Sequence, residues 1–99
     1  MKQRYLEVSY RRGKPLAAYL YLPRQTGDRS ARTEREEAGL LIDYAPDGRP
    51  IGVEITAPSQ VTLAALNRVL AALQQVPLTE PELAPLLPPT AVAGQLIPP

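Results

Sequence analysis

Ninety-nine residues bound this chain to one small domain, and a composition 44% hydrophobic but only 5% aromatic, every aromatic a Tyr, limits its core to aliphatic side chains. Cys and His are both absent, which excludes disulfides, thiolate chemistry, Cys-containing zinc sites and His-centred acid–base catalysis. The net charge is +1, yet residues 1–37 hold nine Lys or Arg against five Asp or Glu, while residues 38–99 hold two against five. An asymmetry of this kind marks either a polyanion-binding half or an ordinary basic rim.

No stretch approaches the roughly 18 apolar residues of a membrane span. The start, Met-Lys-Gln-Arg-Tyr-Leu-Glu, has no apolar run behind its charges. The expectation is a cytoplasmic protein without a signal peptide.

Residues 3–10 alternate, with Leu6, Val8 and Tyr10 on one side, and read as a first strand. Arg11-Arg12-Gly13-Lys14 reads as a tight turn, with Gly13 taking the left-handed position. A second strand follows over 15–22, with Leu16, Ala18, Leu20 and Leu22 on one face and Tyr19 and Tyr21 on the other. Arg11, Arg12, Lys14, Tyr19 and Tyr21 together carry two readings. One is a basic rim beside an aromatic platform that stacks the bases of single-stranded nucleic acid. The other is tyrosines that cover a helix or a subunit contact.

Residues 23–30 are polar and read as an exposed loop. The alternating charges of 31–37 fit a charged third strand that guards a sheet edge, or a solvated helical turn. The clearest segment comes next. Leu40, Ile42 and Tyr44 form one face of a strand, and Ile51, Val53 and Ile55 form one face of another. Between them Pro46 presets φ, Asp47 bonds its own backbone, and Gly48 supplies the positive φ of a hairpin turn, so Asp47 and Gly48 are structural turn residues. Asp43 and Glu54 fall on the outer faces of these strands. Paired carboxylates there serve as acid and base, bind a cation, or simply meet solvent.

After Ala57-Pro58-Ser59 the period changes. Thr62 caps a helix of about twelve residues with Leu63, Leu66, Val69, Leu70 and Leu73 at spacings of three and four, ended by Pro77. Its stripe, including Leu66, Leu70 and Leu73, covers the sheet or pairs with its own copy in a dimer. Thr79-Glu80-Pro81-Glu82 matches a capping box for one more short helix across Leu83, Leu86 and Leu87. Residues 88–99 are too rich in proline for regular structure and read as an extended arm.

The segment Leu16-Ala17-Ala18-Tyr19-Leu20, then Thr33-Glu34, then Gly39-Leu40-Leu41-Ile42-Asp43-Tyr44-Ala45-Pro46-Asp47-Gly48 and Ile51-Gly52-Val53-Glu54-Ile55 resembles domain of unknown function 2283, a family of small bacterial and archaeal proteins. The resemblance spans about residues 3–59. Arg11 and Leu16 stand where that family often carries acidic residues, and Ala45 where a third acidic residue follows the Asp-Tyr pair. Some members look like partners of small toxins in two-gene modules, so the resemblance implies an antitoxin-like binding role.

The expected fold is α+β: a small antiparallel β-meander of four to five strands in a domain over 1–75, closed by the Leu-rich helix, then a proline-rich arm over 76–99. The expected function is a non-enzymatic protein-binding module without cofactor or metal, self-associating as a homo-oligomer, with a dimer favoured, through a sheet edge or the helix. The alternatives are nucleic-acid binding through Arg11, Arg12, Lys14, Tyr19 and Tyr21, and a carboxylate enzyme built on Asp43 and Glu54.

Overall fold

A computed structural model describes residues 3–37 and 39–86. Five strands, β1 (Tyr5–Arg11), β2 (Lys14–Tyr21), β3 (Arg32–Arg35), β4 (Leu40–Tyr44) and β5 (Pro50–Ile55), form one antiparallel sheet. The helices α1 (Leu63–Ala72) and α2 (Glu80–Leu83) follow. The β1–β2 turn sets Arg12 and Gly13 both at positive φ, as a type I′ hairpin requires. In the β4–β5 turn Gly48 has φ +90°, and Asp47 accepts hydrogen bonds from the Arg49 backbone N–H (3.1 Å) and from its Nε (2.7 Å).

The strands lie in the order β1-β2-β5-β4-β3, not in chain sequence. Residues 22–31 carry the chain past the place where a meander would continue, and β4 and β5 then return toward β2. The outcome follows hydrophobicity. β5, with Ile51, Gly52, Val53 and Ile55 all buried, takes the centre, and the fully exposed, charged β3 takes an edge.

Alternation sends Ala18, Leu20, Ile42, Val53 and Ile55 to the inner face, where Leu66, Val69 and Leu70 of α1 meet them in one core. The Thr62 hydroxyl accepts from the Ala65 N–H at 3.0 Å and starts α1. The helix ends at Ala72, earlier than a stop at Pro77. Gln74 turns to φ +60° and Gln75 N–H reaches back to the Leu70 carbonyl (2.8 Å), a Schellman closure with Gln where Gly is usual.

Beyond α1 the core continues. Leu78, Leu83 and Leu86 are buried in the same cluster as the sheet. The Asn67 side chain binds the Leu78 backbone twice, accepting from its N–H (2.7 Å) and donating to its carbonyl (3.1 Å), as a strand partner would. Arg4 clasps the segment from the other side through the Val76 and Pro77 carbonyls and Glu82. Glu82 also accepts from the Thr79 N–H (2.9 Å), half of the capping box read from the sequence. The packed domain therefore runs past residue 75 to at least Leu86. Leu87 and the arm expected over 88–99 lie outside the described residues.

Candidate functional site: the open face of the sheet

Both helices bury their apolar residues on the inner face. Neither α1 nor α2 packs on the outer one. Two cross-strand rows populate it: Tyr5, Tyr21, Gly52, Asp43 and Thr33, and beside them Glu7, Tyr19, Glu54, Leu41 and Arg35. Register alone thus collects three of the five tyrosines and three carboxylates on one surface.

Tyr19 leans from its own row across Gly52, where any Cβ would overlap its ring, and donates its hydroxyl to Asp43 Oδ2 at 2.8 Å. Thr33, from the edge strand, donates to Asp43 Oδ1 at 2.5 Å. Asp43 is only 5% exposed, and these two bonds satisfy a carboxylate that burial would otherwise penalise. Burial, the Asp43 hydrogen bond and the Asp43 charge push the Tyr19 hydroxyl well above its usual range, so it stays a neutral donor. Glu54 is pushed above the usual carboxylate range, first by partial burial and then by its bond to Asp43 and that residue's charge.

Tyr21 stands edge-on to Tyr19, with centroids 4.7 Å apart, and stacks on Tyr5 at 4.4 Å. Its hydroxyl donates to Glu7 at 3.1 Å. The loop after β2 returns Arg24 over the Tyr21 ring (5.2 Å), with Nη2 anchored on the Ile51 carbonyl at 2.8 Å. Two hollows flank Tyr19. One of about 220 Å³ is lined by Tyr19, Tyr21, Arg24, Ser30 and Ile51. The other, of about 200 Å³, holds Glu7, Ser9, Glu54 and Thr56 and no cation among its lining residues.

The residues singled out from sequence divide. Tyr19 and Tyr21 share the open face, and Asp43 and Glu54 meet on it. Arg11, Arg12 and Lys14 sit at the turn end of the β1–β2 hairpin, and Lys14 lies five to seven residues along β2 from Tyr19 and Tyr21, roughly 16–23 Å at the rise of a strand. The guanidinium at the rings is that of Arg24 instead. Leu66 and Leu70 are fully buried, and Leu73 packs beside them, because the sheet itself takes the apolar stripe. They form core, not a contact surface. Asp47 and Gly48 occupy the turn. Sequence reasoning missed Thr33, Gly52 and Arg24. Only Gly52 left a signal, since a glycine inside a strand marks a close approach by something else.

Chemically the arrangement fixes a ring. The Tyr19 proton is engaged by Asp43 and held there, while Tyr21 and Arg24 are left half-exposed.

Residues 17–58 match the model of a family described as a protein of unknown function (DUF2283). Over that span the chain is similar to this family. The matched span holds Tyr19, Thr33, Asp43, Gly52 and Glu54, the whole of the bonded cluster, and leaves out β1 and α1. No curated protein and no solved structure matches the chain.

Proposed function

We propose that the chain is a non-enzymatic protein-binding module that takes a small protein partner on the open face of its sheet. The observation behind this reading is the half-exposed Tyr5–Tyr21–Arg24 patch beside Tyr19, which is pinned to Asp43. Tyr and Arg anchor interfaces because they bring large contact area at small entropic cost. A rigid platform lowers that cost further. The hollow between Glu7 and Glu54 selects among partners, since two carboxylates beside an aromatic ring suit a Lys or Arg side chain. The antitoxin-like role implied by the resemblance is a role of this kind.

The test is co-purification of the full chain from a nuclease-treated native extract, alongside Tyr21→Ser and Glu54→Gln. One protein recovered in equal amount with the wild-type chain, and lost or weakened about tenfold with Tyr21→Ser, supports the reading. Recovery of the chain alone, or capture that neither substitution changes, overturns it.

A further inference from the structure

We infer that two copies of this chain pair through the free edge of β1, antiparallel about Val8, with Tyr10 of each copy seated in a hollow of the other. The inference deepens the self-association expected from the sequence, and it uses the sheet edge, touching the open face proposed for the partner only at Tyr5.

The two sheet edges are unlike. β3 is short, fully exposed, and carries Arg32, Glu34 and Arg35, the charged guard that discourages pairing. β1 spans seven residues, and its outer edge is unpaired among the described residues. Its middle, Leu6-Glu7-Val8-Ser9-Tyr10, carries a single charge, and Tyr21 holds that carboxylate toward β2 and away from the edge. Tyr5 is 46% exposed and Tyr10 56% exposed, large apolar areas to leave in water.

Self-pairing is decided by register. Two-fold antiparallel pairing that keeps both helical layers on one side must centre on Glu7, Val8 or Ser9 to use the body of the strand. A centre at Glu7 sets two carboxylates directly opposite each other, which is destabilising. A centre at Ser9 shortens the ladder from seven pairs to five, given a strand that ends at Arg11. The centre at Val8 uses the whole strand and opposes no like charges. It pairs Val8 with Val8, Glu7 with Ser9, Tyr5 with Arg11 and Leu6 with Tyr10. The exposed Tyr5 ring then meets the guanidinium of Arg11 from the second copy.

The Leu6–Tyr10 pair carries the argument furthest. By the strand's own alternation Tyr10 falls on the side of Leu6 and Val8, just past a register shift in the β1–β2 pairing between Ser9 and Tyr10, and among the described residues it stays exposed. Leu6 borders a hollow of about 230 Å³ walled by Leu20, Leu78, Pro81 and Pro85, with the paired Arg4 and Glu82 also on its wall. The Val8-centred register places Tyr10 of one copy directly across from Leu6 of the other, at the mouth of that hollow. Among the described residues, an exposed ring and a largely apolar hollow lie along one strand at the spacing that lets two copies exchange them. The exchange occurs twice, as a two-fold interface demands.

The absence of cysteine makes the register directly readable. The full chain with Val8→Cys is oxidised mildly, with Glu34→Cys on the other edge as the control. Side chains directly opposed on antiparallel strands have Cβ atoms roughly 4.5–5.5 Å apart, close to disulfide geometry. The inference expects a concentration-dependent dimer of the wild-type chain in sedimentation. It expects rapid disulfide dimerisation at position 8 but not at 34, and a dimer Kd raised about tenfold or more by Tyr10→Ser. Tyr10 is exposed, so that variant folds. A chain that stays monomeric at high concentration overturns the inference, as does a dimer that links as fast through position 34 or ignores Tyr10→Ser. Partner capture by the open face is a separate readout, so failure of one leaves the other standing.

Discussion

The ring of Tyr19 occupies the space that a side chain at residue 52 would fill, so Gly52 on β5 is what lets Tyr19 on β2 reach Asp43 on β4. Three central strands are tied on their outer face by one absent Cβ. Gly52→Ala forces the ring aside and breaks the Tyr19–Asp43 bond. The expected cost is about 1–3 kcal/mol in denaturant unfolding. In a Tyr19→Ala background the same substitution should cost almost nothing, because the obstacle is gone and strand backbone accepts Ala. A cost that persists in that background would place the strain elsewhere.

Asp43 is the acceptor on which two hydroxyls depend. Asp43→Ala leaves both without a partner in a nearly dry position and is expected to cost about 1–3 kcal/mol. Asp43→Asn keeps one acceptor oxygen and should cost less. The same change removes a neighbouring charge from Glu54, so the Glu54 pKa, followed by NMR titration of its carboxyl carbon, should fall toward the ordinary value.

The sign of the Glu54 contribution is opposite to that of a salt-bridged carboxylate. Its folded-state pKa is raised, so the folded state holds the proton more tightly than the unfolded chain. Its contribution therefore turns unfavourable as pH rises from the ordinary Glu value through the raised one, and stays so at neutrality. Glu54→Gln should raise Tm by a few degrees at pH 7 and lose that advantage below about pH 4, where both states are protonated. Asp28, Asp47, Glu37 and Glu82 behave the other way. Each is held below its usual range, the first three chiefly by an Arg partner and Glu82 chiefly by the Thr79 N–H. Their stabilisation is complete above the ordinary carboxylate range and is lost in acid.

Residues 76–86 belong to the folded core, and three changes should show it. Leu83→Ala removes a fully buried side chain and is expected to cost about 2–5 kcal/mol. Asn67→Ala removes both bonds to Leu78 and should cost about 1–3 kcal/mol, with faster proteolysis between residues 76 and 86. Truncation after Gln75 removes Leu78, Leu83 and Leu86 together and should destabilise the chain more than either.

How much of this was legible in the residues depends on range. The β4–β5 hairpin and its Asp47-Gly48 turn were readable because turn chemistry is local, and α1 because Thr62 and the leucine spacing are local. The placement of β5 beside β2 was not, since pairing across thirty-odd residues leaves no mark on either strand alone. For the same reason Asp43 and Glu54 were identifiable as neighbours through their hairpin, while Tyr19 and Thr33 as partners of Asp43 were not. Arg24 sits in a polar loop whose composition says only that it is exposed; its place over Tyr21 comes from the path of that loop. The basic turn at Arg11, Arg12 and Lys14 attracted notice by composition, and the length of β2 separates it from the tyrosines.

The most direct test of the account is NMR shift mapping of the intact chain with and without its co-purified partner. The account predicts that ring signals of Tyr5, Tyr19 and Tyr21 and the side-chain signals of Arg24 and Glu54 move on binding, while the methyl groups of Leu66 and Leu70 under the sheet stay in place. Shifts confined to α1, or to Arg11, Arg12 and Lys14 with the tyrosine rings unchanged, would contradict it.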